Sequence, residues 1–434
     1  MADNRLLQAL QDFNPDKLDQ LFGGEQVKIS RNASSLAPVK RVALFTEAFL
    51  PKVDGVTKSA YLTLRYLQQT GREVLVFAPD ISPSHVGSTR VIALRSLGVP
   101  IAPETRMALP TGAVEPILTE FQPDLIHMFS PALMSVTGMW VGRKLRIPIV
   151  ANYQTDLPGY TSKYGVSLLE PVIRTWLRYI HNRCHLTLAP SNYTLQELRH
   201  NGYRRLRIWG RGVDNERFNP KHHSDEMRQR LLNGRDPHSL LCVYVGRLAR
   251  EKRVDLLLEV AKLPGVALTI IGDGAQREEL EKMFAGTDTY FMGYLFGEDL
   301  GPAYASADVF LFPGQRETFG QVVQEAMASG LPAVIINEGG ITDLVTDGVN
   351  GFVCPDDPSA FAQAVKLLRD NSALRVTMAN ESRRITEKRP WEAIMAQLEE
   401  YYAQAVALNA RFNRLYYPET EPIRFLPTLL RLDR

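Results

Sequence analysis

Cysteine is scarce in this chain: Cys184, Cys242 and Cys354 are the only three among 434 residues. They lie far apart, their number is odd, and no CxxC pair occurs. A disulfide framework and a zinc module are therefore excluded, and a reducing cytosol is the expected setting. Long apolar runs are missing as well. No stretch reaches the ~18 consecutive apolar residues that a membrane-spanning helix needs. The opening MADNRLLQALQDF is charged and has no apolar centre, so no secretory signal is expected. Zinc fingers, ribonucleoprotein motifs and basic–aromatic runs are absent, so nucleic acid is not an expected partner. No Asp-x-Asp pair occurs, and no metal site or cofactor is expected. No GxGxxG follows the first strand of either unit described below, which argues against a dinucleotide dehydrogenase.

What is present is globular: 45% apolar and 23% charged residues, in a length that fits two or three domains. The net charge of +2 hides an asymmetry. Residues 40–225 hold 23 Lys and Arg against 14 Asp and Glu, while the remainder holds 27 against 34. The basic half suits anionic lipid head groups or phosphorylated acceptors, or it is a solubilising surface.

Residues 1–38 read as a helical preamble, Arg5 to Leu21, broken by Gly23-Gly24. A first unit, 39–222, carries short buried-strand runs at Val42–Thr46, Val74–Ala78, Leu125–Met128, Ile147–Ala151, Leu186–Ala189 and Leu206–Trp209. Helical patterns such as Ser59–Gln69 and Thr194–Asn201 lie between them. A polar segment, Phe218 to Ser239, marks the boundary. A second unit, 223–390, repeats the scheme at Leu241–Val245, Ala267–Ile271, Thr289–Met292, Val309–Phe312, Ala333–Ile336 and Phe352–Cys354. Its helical patterns include Val254–Lys262, Arg277–Phe284 and Gln321–Ser329. Strands alternating with helices predict two α/β, doubly wound, Rossmann-like units facing a cleft, with ligands beyond the carboxyl ends of the strands. Residues 391–434 contain an amphipathic helix, Trp391 to Asn413, expected to cross back to the first unit. A tail follows, whose Phe425, Leu426, Leu429 and Leu430 suit docking on the fold or on a membrane.

Three motifs of the second unit carry chemistry. In GRLAREK, Arg247 and Lys252 place two cations after a strand that ends at Gly246. Such cations favour a diphosphate leaving group, whose negative charge grows as it departs. The alternative is a solvated basic loop. In IGDGAQREEL, the glycines permit close backbone approach. In PGQRETFGQVVQEAMASGLP, Glu317 precedes a helix and Glu325 lies within it, with seven residues between. The amides of Phe319 and Gly320 open that helix, where phosphate is favoured. Glu325 stands amid Val322, Val323, Ala326 and Met327, where an unpaired carboxylate is costly; a ribose diol would satisfy it. The double glycine Gly339-Gly340 permits a tight loop at the same strand ends.

In order and spacing, these motifs and the downstream GGITDLVTDGVNG resemble family 4 glycosyltransferases over roughly 41–408. The family is GT-B-fold, retaining and metal-independent. The resemblance implies that Arg247 and Lys252 hold the donor diphosphate and that Glu317 contacts the donor sugar. It implies that Phe319 and Gly320 assist with their amides, that Glu325 binds the ribose, and that Gly293 and Tyr294 receive the nucleobase. Asp343 stands where many members have Glu, and is expected to start a helix.

In the first unit, Asp54-Gly55 forms a turn after the first strand, with Thr57 or Ser59 expected to cap the next helix. Gly55 matches a family glycine that approaches the donor; many relatives carry two. ANYQTDLPGYTSKYG follows a buried strand, and Gln154 stands where many relatives have His. The YQTD form resembles glycolipid α-mannosyltransferases of actinobacterial type. An amide holds a hydroxyl but cannot act as a base near neutral pH. That fits front-face transfer, in which the leaving phosphate accepts the acceptor's proton; Asp156 is the alternative base, or simply a turn residue. His127 at a strand end belongs either to the core or to the cleft. Arg211 in RGVD is a candidate phosphate contact, with Asp214 bracing the hinge. The stretch SLLEPVIRTWLRYIHNRCH is an amphipathic basic helix that faces either the core or a membrane surface.

The expected protein is a cytoplasmic hexosyltransferase using a nucleotide-diphosphate sugar, GDP-mannose first, with UDP-glucose or UDP-sulfoquinovose as alternatives. The expected acceptor is a lipid or glycolipid, with the enzyme peripheral on the inner face of the membrane if its basic half meets anionic lipid. A nucleotide-sugar epimerase and a non-catalytic nucleotide-sugar binder are the rival classes.

Overall fold

The computed structural model describes residues 15–22, 39–52, 54–99, 102–156, 170–295 and 297–416. The first unit holds β1 (Arg41–Thr46), β2 (Glu73–Pro79), β3 (His85–Val86), β4 (Thr89–Leu94), β5 (Ser96–Val99), β6 (Ala102–Ala108), β7 (Leu125–Phe129), β8 (Ile149–Asn152), β9 (Leu186–Ala189) and β10 (Leu206–Ile208). The second holds β11 (Leu240–Val245), β12 (Val266–Ile271), β13 (Thr289–Gly293), β14 (Val309–Phe312), β15 (Ala333–Ile336) and β16 (Gly351–Cys354).

The strand order of the first sheet is β10-β9-β8-β7-β1-β2-β4-β3, and that of the second is β13-β12-β11-β14-β15-β16. All pairs in both sheets are parallel except β3 with β4. Each sheet reverses its winding once, between β1 and β7 and between β11 and β14, and a crevice opens at such a point. The strands β11, β12 and β14 are buried along their whole length, which is why their sequences read as unbroken apolar runs.

The helix Trp391–Tyr416 packs on the first sheet rather than the second. Trp391, Met395, Leu398 and Tyr402 are buried there, each burial worth about 1.5–3 kcal/mol, against about 1 kcal/mol for a hydrogen bond. Burial therefore holds the helix, and hydrogen bonds set its register: Trp209 Nε1 donates to the Ile394 carbonyl at 2.9 Å and the Tyr401 hydroxyl to Ile208 at 2.7 Å. Where the chain crosses, a Cβ on Gly212 would lie 2.5 Å from Trp391 Cα.

Several expectations change. The helix expected from Ser59 starts at Gly55, and its cap is Asp54, not Thr57 or Ser59. The Asp54 carboxylate accepts from the amides of Val56 at 3.0 Å and Thr57 at 2.8 Å. Val254–Lys262 is a 3₁₀ turn, Val254–Leu257, running into a short helix, Leu258–Ala261. β3 to β6 went unread because they are short and carry charged or small residues. Of the preamble, only the helix Pro15–Phe22 is described; Asp19 binds Arg65 at 2.6 Å and Tyr61 at 2.6 Å, docking it on the first unit. The expected tail docking lies outside the described residues, as does 157–165 of the YQTD segment. Among the described residues no helix is long and apolar enough to cross a membrane.

His127 belongs to the core. It is fully buried, its Nδ1 lies 2.7 Å from the Tyr402 hydroxyl, and it packs beside Phe129. Burial pushes its imidazole down to about 4, His181 to about 3 and His185 to about 4. Below the ordinary histidine value of about 6.5 the unfolded chain binds these protons and the fold does not, which costs about 1.4 kcal/mol per group per pH unit. Burial raises Glu47 to about 7, which acts oppositely: its contribution is lost as pH rises. Three histidines outweigh one glutamate, so the melting temperature falls between pH 7 and pH 5. An unchanged or higher melting point at pH 5 contradicts the buried, neutral histidines.

Candidate functional site

The loops after β11 and β14 sit at the reversal point of the second sheet and carry most of the predicted residues. Gly246–Lys252 follows β11 and ends in a 3₁₀ turn, Arg250–Lys252. The Gln315 amide donates to the Glu251 carbonyl at 3.0 Å, which ties this turn to the loop after β14. Lys252 Nζ meets the Glu317 carboxylate. Arg247 donates to the Glu251 carboxylate at 2.7 Å. Both cations are thus held on acids; Lys252 is largely buried, while Arg247 is 48% exposed.

Glu317 is held by its backbone. The Gly340 amide donates to its carbonyl at 2.5 Å, and a Cβ on Gly339 (φ +86°) would lie 2.7 Å from the same oxygen. The double glycine therefore positions Glu317. Gly320 caps the helix Gln321–Ala328, and the first bonds of that helix come from Val323 and Gln324 to its carbonyl. The Phe319 and Gly320 amides precede that turn, while the Phe319 ring is buried in the core. Glu325 is buried one face further along the helix, as its apolar neighbours predict, but its partner is unexpected: Lys58 of the first unit, at 3.1 Å.

The GDG glycines support the cation loop. A Cβ on Gly272 (φ +141°) would lie 1.9 Å from the Gly246 carbonyl oxygen, so β12 and β11 meet here backbone to backbone. The Gly293 carbonyl accepts from the Gly272 amide at 2.8 Å, and the exposed Tyr294 donates its hydroxyl to the Asp273 carbonyl at 3.2 Å. Gly293 and Tyr294 thus stand at the rim of the Arg247 loop.

The first unit closes the other side. Arg211 lies against Gly55, where a Cβ would be 2.7 Å from its Nη1, and its guanidinium is 5.9 Å from the Phe319 ring. Desolvation lowers its pKa, and Glu317, Asp54 and Glu325 oppose that shift. Gln321 and Gln324 donate to the Gly212 and Arg211 carbonyls at 3.2 and 3.1 Å. The Gln154 carbonyl accepts from the Thr318 hydroxyl at 2.9 Å, which brings Gln154 beside the Glu317 loop. Its side-chain Oε1 is buried with no hydrogen-bond partner among the described residues, and it can accept from a hydroxyl. Asp156 accepts from the Tyr153 hydroxyl at 3.3 Å. Asp343 ends the 3₁₀ turn Gly340–Asp343 rather than starting a helix; its carboxylate accepts the Asn192 amide at the start of the helix Asn192–His200 of the first unit, whose cap is Ser191. Asp214 caps its own turn by accepting from the Arg217 amide at 2.6 Å.

Lys58, Glu47 and Glu251 were not foreseen. Glu47, just after β1, accepts from the Ala132 and Ser135 amides at 3.0 and 3.1 Å. Lys58 had one signal: a cation in the first turn of a helix, where the dipole disfavours it. Among the described residues no three His, Cys, Asp or Glu side chains gather as a metal cage.

Comparisons with known proteins bear on the family and the fold. The family profile "Glycosyl transferases group 1" matches residues 225–385, and "Glycosyltransferase Family 4" matches residues 53–217. A GDP-mannose-dependent alpha-mannosyltransferase of Corynebacterium glutamicum is 35% identical, covering 89% of this chain and 94% of the relative. A sulfoquinovosyl transferase of Arabidopsis thaliana is 37% identical, covering 86% of this chain and 75% of the relative. The solved sucrose-phosphate synthase of Thermosynechococcus elongatus superposes with a TM-score of 0.67 at 21% identity, over 85% of this chain and 99% of the other.

Gly272→Ala forces the Arg247 loop off the sheet. It is expected to lower the melting temperature by several degrees and to weaken binding of a nucleoside diphosphate at least tenfold (about 1.4 kcal/mol). Calorimetric titration checks this; wild-type affinity and stability contradict the packing role.

Proposed function

The chain belongs to glycosyltransferase family 4 and has the GT-B fold, and from that membership we propose that it moves mannose from GDP-mannose to a hydroxyl of a lipid or glycolipid, forming an α linkage with retention and without a metal. The observation that carries this reading is that Lys252 meets Glu317, that Arg247 lies on the same loop as Lys252, and that Arg211 interacts with both Glu317 and Glu325. Cations there suit a diphosphate, and carboxylates suit the neighbouring hydroxyls of a sugar and a ribose.

In this reading Arg247 and Lys252 face the diphosphate, the Phe319 and Gly320 amides add hydrogen bonds, and Arg211 approaches from the first unit. Glu317 holds the mannose hydroxyls, Glu325 the ribose, and the base rests by Gly293 and Tyr294. The bond from the sugar's anomeric carbon to phosphate oxygen breaks, the bond to the acceptor oxygen forms on the same face, and the acceptor's proton passes to the diphosphate. Gln154 holds a hydroxyl and takes no proton. Charge compensation falls to side chains, so a chelator leaves transfer unchanged.

GDP-mannose is preferred as donor because the Corynebacterium relative carries that donor in its name. The second reading is a UDP-sulfoquinovose or UDP-glucose donor, and the name of the Arabidopsis relative supports the sulfoquinovosyl group. A lipid acceptor is supported by the basic first unit. Its helices Met134–Lys144 and Glu170–His181 are joined by Trp176 Nε1 donating to Ala132 at 3.1 Å and by Arg143 donating to Arg183 at 3.2 Å. Leu177 and Ile180 are buried, but Trp140, Val172 and Trp176 are exposed beside Arg143, Lys144, Arg178 and Arg183. The buried face of this helix packs in the core, and its exposed face would suit an anionic bilayer surface.

Thermal melting with GDP and with UDP tests the donor. At 100 times its dissociation constant the preferred nucleotide adds about 2.7 kcal/mol. GDP is expected to give the larger shift; a larger UDP shift moves the assignment to the second reading. For the acceptor surface, binding to vesicles is expected to rise with anionic lipid and fall with salt. Equal binding to neutral and anionic vesicles removes that support.

A further inference from the structure

Lys58 lies in the first turn of the helix Gly55–Gln69, yet its ammonium reaches Glu325 of the other unit at 3.1 Å. A cation at that end opposes the helix dipole. The Lys58 side chain is only 22% exposed and that of Glu325 only 7%, so part of its hydration is lost as well. Neither the helix nor packing within the first unit accounts for a lysine here.

Its neighbours do. Charges alternate across the cleft: Lys252 on Glu317, then Arg211 under the influence of Glu317 and Glu325, then Glu325 on Lys58. In the donor reading above, on which this inference rests, sugar hydroxyls take Glu317 and ribose hydroxyls take Glu325. Each carboxylate then gives up part of its contact with a lysine. A partly buried cation left without a counter-charge is costly. The anion that arrives with those hydroxyls is the diphosphate, bonded to the same ribose and the same sugar.

We propose that Lys58 is a diphosphate-binding residue, delivered from the first unit, that exchanges Glu325 for the donor's phosphates when the ribose binds. The exchange gives the diphosphate a cation from each side of the cleft. It also makes closure of the two units depend on the donor.

The test compares GDP with GMP by calorimetry in the wild type and in Lys58→Met, which keeps the length of the stem and removes the charge. Lys58→Gln serves the same comparison if the methionine variant does not fold. The expected result is a loss of about tenfold in GDP affinity with GMP binding nearly unchanged, so that the preference for the diphosphate shrinks. Lys58→Arg is expected to restore most of it. An equal loss for both nucleotides means that Lys58 acts only by orienting Glu325 at the ribose, and overturns the inference. So does unchanged GDP affinity. If the wild type itself shows no preference for GDP over GMP, nor for UDP over UMP, the donor reading fails and the inference falls with it. A wild-type preference that survives in Lys58→Met sinks the inference alone.

Discussion

Cations gathered in a partly dry cleft repel one another and lose hydration, so each needs a counter-charge before any ligand arrives. Here the counter-charges are carboxylates that also suit the hydroxyls of a nucleotide sugar. Arg247 rests on Glu251, Lys252 on Glu317 and Lys58 on Glu325. Two of these three acids are the pair spaced by the helix Gln321–Ala328, one ahead of it and one within it. Each of these three cations therefore has its counter-charge within the protein. One of the pairs, Lys58 on Glu325, spans the cleft.

The rest of the fold fixes where those pairs can form. Backbone contacts at Gly272 and Gly339 bring the cation loop and the Glu317 loop into place without side chains between them. The helix Gln321–Ala328 reaches back to the RGVD segment through Gln321 and Gln324, and Asp343 accepts the first amide of a helix of the opposite unit. The crossing helix binds the first sheet through Trp391 and Tyr402, so the second unit is anchored to the first at both ends of its chain. In the proposed reaction the donor sits in one unit and the acceptor in the other, and these connections would set their separation.

Much of this was legible in the amino-acid order because the second unit obeys simple rules. β11, β12 and β14 are buried on both faces, and continuous apolar runs have few other readings. Glu325 stood out as a carboxylate among apolar neighbours, and burial is what the structure shows. Gly339-Gly340 was read as a tight loop, and it is the clasp on Glu317. The first unit was harder. β3 to β6 are short and mixed in character, so no period emerges. Asp54 caps a helix because its own side chain reaches back to two amides, a local choice that Thr57 and Ser59 could equally have filled on residue type. Lys58, Asp343 and Glu47 act through partners 267, 151 and 85 residues away, and linear spacing holds no trace of such pairings. His127 shows the converse: a polar residue at a strand end looked available, but Tyr402 of the crossing helix had claimed it.

The most direct measurement is the position of the diphosphate in a crystal of the protein with GDP bound. The account places it against Arg247 and Lys252, near the Phe319 amide, with ribose oxygens on Glu325 and the Lys252–Glu317 pair loosened. A diphosphate bound elsewhere, with Lys252 still on Glu317 and Arg247 still on Glu251, would contradict it.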